Sequence, residues 1–299
     1  MSIDKAYILA AGLGTRMGEK GKNLPKPLWP VFDKYLIELQ LRFALSLQIK
    51  KIIINLFHQK ELLKKTLESE GIQKLLKTHH AQLILIEEPT LLGVGGSIHN
   101  LQTVNELKGT IIILNADQFL FFSPHHWRKA WEMVKSPGSV VLFPIELSAA
   151  EKNDYNTLSI DHHRLLKGII PQKTSSLLPP WITYSGVALI NLDNLAYQAG
   201  PSGFFDTVAN FRTRDIHVYP LQKNENSFNY EYWDFGTLER YQQSIQKLLM
   251  KPQHSLFYQW LCDNQAIIPE NILEQEATSY QGRLAHYQMG SELKIDFLI

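Results

Sequence analysis

The sequence predicts an α/β fold: a mainly parallel, doubly wound sheet flanked by helices. Short β-branched runs recur through the first half of the chain, leucine-rich stretches at helical spacing separate them, and glycine-bearing loops follow them. Ala6-Tyr7-Ile8-Leu9-Ala10 is the first run. Ile52-Ile53-Ile54-Asn55, Leu83-Ile84-Leu85-Ile86 and Ile111-Ile112-Ile113-Leu114 follow. They are continuous rather than alternating, as expected of strands buried on both faces. Between them, Leu36, Leu39, Leu41, Phe43, Leu45 and Leu47 crowd one predicted helix, and Glu61 to Leu67, apolar at Leu62, Leu63 and Leu67, forms another. Such alternation implies right-handed crossovers and parallel pairing.

The second half changes character. Thr157-Leu158-Ser159-Ile160-Asp161 alternates, Leu165 to Ile170 is apolar, and Trp181 to Asn191 is a long strand candidate. These read as excursions from a mixed sheet that wall a substrate cleft. Thr237 is placed to cap a helix carrying Leu238, Tyr241, Ile245, Leu248 and Leu249, a core stripe at helical spacing. Beyond Lys251-Pro252 the pattern weakens. The expected organisation is one domain over 1–250 and a mostly helical appendage over 251–299.

With 30 basic and 29 acidic residues among 299, no bulk charge points to nucleic acid, so any phosphate binding is local. No apolar stretch reaches transmembrane length, and Met1-Ser2-Ile3-Asp4-Lys5 runs into a strand pattern without a signal peptide. The single cysteine, Cys262, excludes an internal disulfide and fits a reducing, cytoplasmic setting.

The first run empties into Gly12-Leu13-Gly14-Thr15-Arg16, and Lys26 stands between Pro25 and Pro27. A strand ending in such a loop puts backbone N–H groups and a cation at the carboxyl edge of a sheet, where α/β folds bind ligands. Gly12, Gly14 and Gly18 miss the dinucleotide spacing by one residue, and no Walker A lysine follows. The prolines stiffen the support of Lys26, whose residues alone fit an aimed cation and an exposed loop lysine equally. Asp117 lies just past the Ile111–Leu114 run, and Asp234 lies at a turn entering a helix. Two converging carboxylates suit Mg²⁺, which takes further ligands from phosphates and water; each also suits a turn or capping aspartate. Gly93-Val94-Gly95-Gly96 would let backbone approach a flat ligand at a helix N-terminus, with Glu88 just before it. The pairs His79-His80, His125-His126 and His162-His163 lack carboxylates at ligand spacing and read as surface residues.

Together these segments resemble the sugar-1-phosphate nucleotidyltransferases. Leu9 to Met17 with Leu24-Pro25-Lys26-Pro27-Leu28-Trp29-Pro30-Val31 is similar to the family signature nearly residue for residue. Leu92-Gly93-Val94-Gly95-Gly96-Ser97 resembles its second glycine loop, and Asn115-Ala116-Asp117 stands where the family has Asn-Gly-Asp. Trp233-Asp234-Phe235-Gly236-Thr237-Leu238-Glu239-Arg240 resembles its late motif, so the likeness runs from Ala6 to about Leu249. The resemblance implies a Rossmann-like, GT-A-type fold and a reaction in which a sugar-1-phosphate oxygen attacks the α-phosphorus of a nucleoside triphosphate and pyrophosphate leaves. Arg16 would hold the departing phosphates, Lys26 the α-phosphate, and Asp117 and Asp234 the Mg²⁺. Leu9, Ala10, Ala11, Gly12, Gly14, Thr15, Glu88, Gly93 and Gly95 would line the nucleotide pocket, and Asn156, Gln172, Lys173 and Gly186 would meet the sugar phosphate.

Ala116 for glycine and Gln172 for glutamate depart from the family pattern. Glu88 replaces a frequent glutamine; a carboxylate only accepts, which suits guanine's donors, so GTP is favoured weakly over UTP. Two other readings are open. A glycosyltransferase of related architecture would carry Asp-x-Asp where this chain has Asn115-Ala116-Asp117. A non-catalytic nucleotide-sugar sensor has no need of Arg16, Lys26, Asp117 and Asp234 together. A homo-oligomer is compatible with the sequence, although the hexapeptide β-helix of some relatives is absent.

Overall fold

The computed structural model describes residues 4–15, 24–104, 107–172, 179–221, 223–224, 227–228, 230–274, 278–289 and 293–298. The chain divides into two compact units. One comprises Met1–Leu9, Glu88–Asn115 and Phe122–Tyr232; the other comprises Ala10–Glu87, Ala116–Phe121 and Trp233–Ile299.

In the first unit, strands Ile216–Val218, Val140–Leu147, Trp181–Asn191, Thr110–Asn115 and Lys5–Leu9 lie in that order. Lys5–Leu9 runs parallel to Thr110–Asn115, and Ile216–Val218 parallel to Val140–Leu147. Only Trp181–Asn191 is antiparallel to its neighbours. Strand Thr110–Asn115 is buried through Thr110–Leu114, which explains its unbroken β-branched run: side chains on both faces need apolar cover. Helices Gly93–Val104 and Pro124–Met133 belong to the same unit. Thr157–Ile160 and Leu166–Ile170 pair as a separate antiparallel hairpin.

In the second unit, Lys51–Leu56 pairs in parallel with Gln82–Glu87. The former is buried over Ile52–Leu56. The latter is buried only at Ile86, because it is an edge strand with one neighbour among the described residues. Burial on both faces, expected of Leu83 to Ile86, is therefore not met. Helix Leu36–Ser46 covers most of the predicted leucine-rich stretch, and Lys60–Leu67 buries Leu63 and Leu67 while Leu62 is exposed. A further helix, Glu70–Thr78, was not predicted; its Ile72 and Leu76, one turn apart, are its buried residues. In helix Leu238–Leu249 the predicted stripe is buried except at Leu238, and Thr237 caps it as expected by accepting from Arg240 N at 3.2 Å.

The predicted helical character of 251–299 needs correction. One helix, Leu256–Asp263, is followed by a four-stranded antiparallel sheet of Ile272–Glu274, Thr278–Gln281, Ala285–Met289 and Leu293–Phe297. Its signal is a period of two: Ala285 and Tyr287 are buried, while His286 and Gln288 are exposed. Aromatic rings cement this unit. Phe119, Phe235, Phe257 and Trp260 form one cluster, and Trp29, Tyr241 and Phe297 another. Trp29 and Trp233 are thus core residues.

Candidate active site

The second unit assembles the cationic and acidic groups. Leu9, half-buried, ends its strand, and the chain passes into Ala10, whose N–H donates to Asn55 Oδ1 at 2.7 Å. That bond fixes the start of the glycine loop. Ala11 is buried, while Gly12 and Thr15 are exposed. Gly14 has φ +67°, a conformation glycine adopts without strain. A Cβ at Gly12 would meet nothing within 4 Å, so this stretch of backbone is open to a ligand. Arg16 lies outside the described residues.

Lys26 opens a single 3₁₀ turn, Lys26–Leu28, held by Leu28 N–H to Pro25 O at 2.8 Å and Trp29 N–H to Lys26 O at 2.9 Å. It is 8% exposed rather than on the solvent side of a loop, because its ammonium is ion-paired with the carboxylate of Asp117. The aimed-cation reading is the one this burial supports, since an ammonium away from water needs a partner.

Asp117 and Asp234 are neighbours through the main chain: Phe235 N–H donates to Asp117 O at 2.9 Å. Asp234 ends strand Tyr230–Asp234 and is buried. Its Oδ1 accepts from Gly236 N–H at 2.6 Å, and its Oδ2 is ion-paired with Arg240 Nη1 at 3.0 Å. Thr237 stops the turn and starts the helix that carries Arg240. Each candidate metal ligand is thus matched to a cation of the chain, Asp117 to Lys26 and Asp234 to Arg240. The sequence reading missed Arg240 as a site residue; its spacing of six from Asp234, across a glycine turn and a capped first helical turn, is the signal. No group of three or more His, Cys, Asp or Glu residues able to hold a metal occurs among the described residues. Two aspartates brought together through one main-chain hydrogen bond still suit Mg²⁺, which is normally bound by one or two carboxylates with phosphates and water.

The first unit holds the other predicted residues, and here two expectations change. Glu88 is buried; its Oε1 accepts from Ser97 Oγ, which is itself bonded to Tyr7 OH, and its Oε2 accepts from Leu92 N–H at 3.1 Å. Burial, with a smaller push from Glu88, raises the Tyr7 phenol well above its usual range. Glu88 thereby ties the strand end to the glycine loop, a structural task that the sequence does not display. The glycines at 93, 95 and 96 pack closely against the 200–203 backbone. A Cβ on Gly95 would lie 2.3 Å from Gly203 O, one on Gly93 2.7 Å from Ser202 O, and one on Gly96 2.4 Å from Gly200 O. The N–H groups of Gly95 and Gly96 both donate to Ser202 O, at 3.0 and 3.3 Å.

On the predicted sugar side, Asn156 and Gln172 are brought together as the hairpin pairs Thr157 with Ile170. Both are exposed, and Gln172 N–H donates to Asn156 Oδ1 at 3.1 Å. Gly186, at φ +84°, sits where the register of Trp181–Asn191 slips against Val140–Leu147. Lys173 lies outside the described residues. The histidine pair at 125 and 126 bonds Ser123 and Tyr219, respectively.

Residues 6–166 match the MobA-like NTP transferase domain model, and the chain belongs to that family of nucleotidyltransferases. It is 31% identical over 115 residues to the D-glycero-alpha-D-manno-heptose 1-phosphate guanylyltransferase of Campylobacter jejuni, covering 38% of this chain and 48% of that protein. It is 32% identical over 117 residues to the choline-phosphate cytidylyltransferase of Streptococcus pneumoniae, covering 39% and 46%. A UTP–glucose-1-phosphate uridylyltransferase of Staphylococcus epidermidis is 34% identical over 113 residues, covering 32% and 39%. The chain thus spans about half the length of the first curated relatives it matches. The crystal structure of HddC from Yersinia pseudotuberculosis has a TM-score of 0.63 at 21% identity, covering 82% of this chain and 99% of that one, which shows the shared fold. The predicted α/β class, a mixed and mostly parallel sheet flanked by helices, is the class observed. Among the described residues no helix is long and apolar enough to cross a membrane.

Proposed function

We propose that the chain transfers a nucleoside monophosphate from a nucleoside triphosphate to a sugar-1-phosphate and releases pyrophosphate. The observation that carries this reading is the arrangement of Lys26, Asp117 and Asp234, one buried cation and two main-chain-linked carboxylates, in a chain of the NTP transferase family. An oxygen of the acceptor phosphate forms the new bond to the α-phosphorus, the bond from that phosphorus to the bridging oxygen breaks, and the electron pair leaves with pyrophosphate.

Lys26 faces the charge that builds on the α-phosphate, a role that preorganised cations fill well where water is scarce. Arg16, carried on the same glycine loop, takes the departing phosphates. The open backbone from Ala10 to Thr15 cradles the nucleotide. Asp117 and Asp234 would hold Mg²⁺, which when bound supplies charge neutralisation and a template for the phosphates. Lys26 and Arg240 are ion-paired with the two carboxylates, which holds both aspartates in position. Asn156, Gln172, Lys173 and Gly186 remain the proposed sugar-phosphate residues.

Guanylyl transfer is the first version of the proposal and uridylyl transfer the next. The guanylyl version now leans on the heptose-phosphate relative and less on Glu88, whose oxygens are bonded to Ser97 and Leu92. The setting proposed is the cytoplasm, with no nucleic acid or membrane partner and with homo-oligomerisation allowed. The choline-phosphate relative supplies a specific reason to test a non-sugar acceptor as well.

A matrix of four triphosphates against a sugar-1-phosphate panel and choline phosphate, with Mg²⁺, tests the reading by pyrophosphate release. Release that requires both substrates is the expected result. Hydrolysis or transfer from a nucleotide-sugar alone would favour the glycosyltransferase, and binding without turnover would favour the sensor.

A further inference from the structure

The turn that carries Lys26 continues directly into Trp29-Pro30-Val31-Phe32-Asp33, and this segment is tied to the far end of the chain at almost every residue. Pro30 O accepts from the hydroxyls of both Tyr241 and Tyr287, the latter at 2.9 Å. Phe32 N–H donates to Tyr287 Oη at 3.2 Å, and Asp33 N–H donates to Ala266 O at 3.0 Å. The Asp33 carboxylate, 5% exposed, accepts from Tyr280 OH at 2.8 Å and from the main-chain N–H of Arg283. Phe32 holds a left-handed φ of 56° with its ring 4.7 Å from Tyr280 and 5.0 Å from Tyr287. Trp29 is fully buried with its ring 5.1 Å from Tyr241 and 5.2 Å from Phe297. Gly282 belongs to the same joint: a Cβ there would lie 2.8 Å from Asp33 Oδ1 and 2.7 Å from the Tyr280 ring.

A bulky left-handed residue and a buried carboxylate are both costly unless their surroundings over-determine them. Here the C-terminal sheet does so. Lys26 is four residues from Pro30, across a hydrogen-bonded 3₁₀ turn with prolines at 25, 27 and 30, so little slack separates the clamp from the cation. We propose that the C-terminal sheet is the positioning element for Lys26 and that Asp33, gripped by Tyr280 and the Arg283 N–H, is its anchor. This inference rests on the role proposed for Lys26. It makes the last fifty residues part of the catalytic apparatus, although none of them touches substrate in the proposed reaction.

The test uses the full chain with Asp33→Asn and Tyr280→Phe, each alone and combined with Lys26→Ala. An asparagine amide keeps one acceptor oxygen, turns an NH2 donor toward the other partner and removes the charge, whereas Tyr280→Phe removes one bond only, so Asp33→Asn is the stronger perturbation. Its expected effect is a fall in kcat on the order of a hundredfold, as for a displacement of about 1 Å at a reacting group, with KM for the triphosphate nearly unchanged. Tyr280→Phe should act in the same direction and less. On the Lys26→Ala background neither should lower the residual rate further. Labelling of Lys26 by an amine-reactive reagent, read by peptide mass spectrometry, should be faster in both variants than in the parent. A folded Asp33→Asn protein with unchanged kcat, or an equal fall with and without Lys26, would overturn the proposal; should Asp33→Asn not fold, Tyr280→Phe decides on the same criteria. If the parent chain turns over no substrate pair, the proposed function fails by itself, and the labelling rate alone judges the clamp: faster labelling sustains it, an unchanged rate refutes it.

Discussion

The N–H of Phe235 donates to the carbonyl of Asp117 across 2.9 Å, so two aspartates 117 positions apart are set side by side by one backbone hydrogen bond. The bond involves neither carboxylate, which leaves both for ionic work. Asp117 holds the Lys26 ammonium, and Asp234 holds the Arg240 guanidinium. The same bond brings two motifs that lie far apart in sequence to one place, as the proposed reaction requires.

Arg240 is ion-paired with Asp234 and would compete with the divalent ion proposed to bind there. Arg240→Gln removes that competing charge and leaves the Gly236 N–H on the carboxylate. The half-saturating Mg²⁺ concentration for turnover should fall, with no gain in kcat. A titration of rate against Mg²⁺ checks this; an unchanged midpoint would separate Arg240 from the metal site.

Lys26→Met should cost both rate and stability. Loss of a charge contact to a transition-state phosphate lowers kcat on the order of a hundredfold or more. Removal also leaves Asp117, 17% exposed at its side chain, without its cation, so the melting temperature should drop as well. Thermal melts and initial rates separate the two effects. Of the two readings open to Lys26 in the sequence, an aimed cation and an exposed loop lysine, its burial supports the first.

Two glycines predicted to serve the nucleotide should part company. Gly95→Ala drives a Cβ to 2.3 Å from the backbone oxygen of Gly203 and should destabilise by roughly 1–3 kcal/mol. Gly12→Ala meets nothing within 4 Å and should stay within about 0.5 kcal/mol of the parent while raising KM for the triphosphate. Denaturant titrations with kinetics distinguish them.

Alkaline stability follows from the buried phenols. Burial, with the hydrogen bond to Asp33 next, pushes the Tyr280 phenol up, and burial raises those of Tyr287 and Tyr241. In the unfolded chain each would ionise near pH ~10. Above that pH the unfolded state binds fewer protons than the folded one, so stability is fully present below it and falls as pH rises beyond it. Tyrosinate absorbance for these three should therefore appear together with unfolding. Their ionisation ahead of the loss of ellipticity would contradict the clamp's burial.

Much of the site is legible because its chemistry is local in sequence. The apolar run into Gly12 and Gly14, the proline-flanked Lys26, and the Thr237 cap all act within a few residues. What the sequence hides depends on distant partners. Nothing near Glu88 announces that Ser97 and Tyr7 will enclose it, and three glycines within four positions look alike whether they admit a ligand or the 200–203 backbone. The C-terminal strands are short, and their apolar faces are largely tyrosine and alanine, so their alternation is faint. The Asp33 joint spans about 250 residues of chain and has no local signature.

The central claim is that Lys26, Asp117 and Asp234 act on one triphosphate, and pyrophosphate release measured with Mg²⁺ in the parent, Asp117→Asn and Asp234→Asn tests it most directly. Release should require both triphosphate and acceptor in the parent, with a loss on the order of a hundredfold in each folded variant. Full rates in either variant would contradict it.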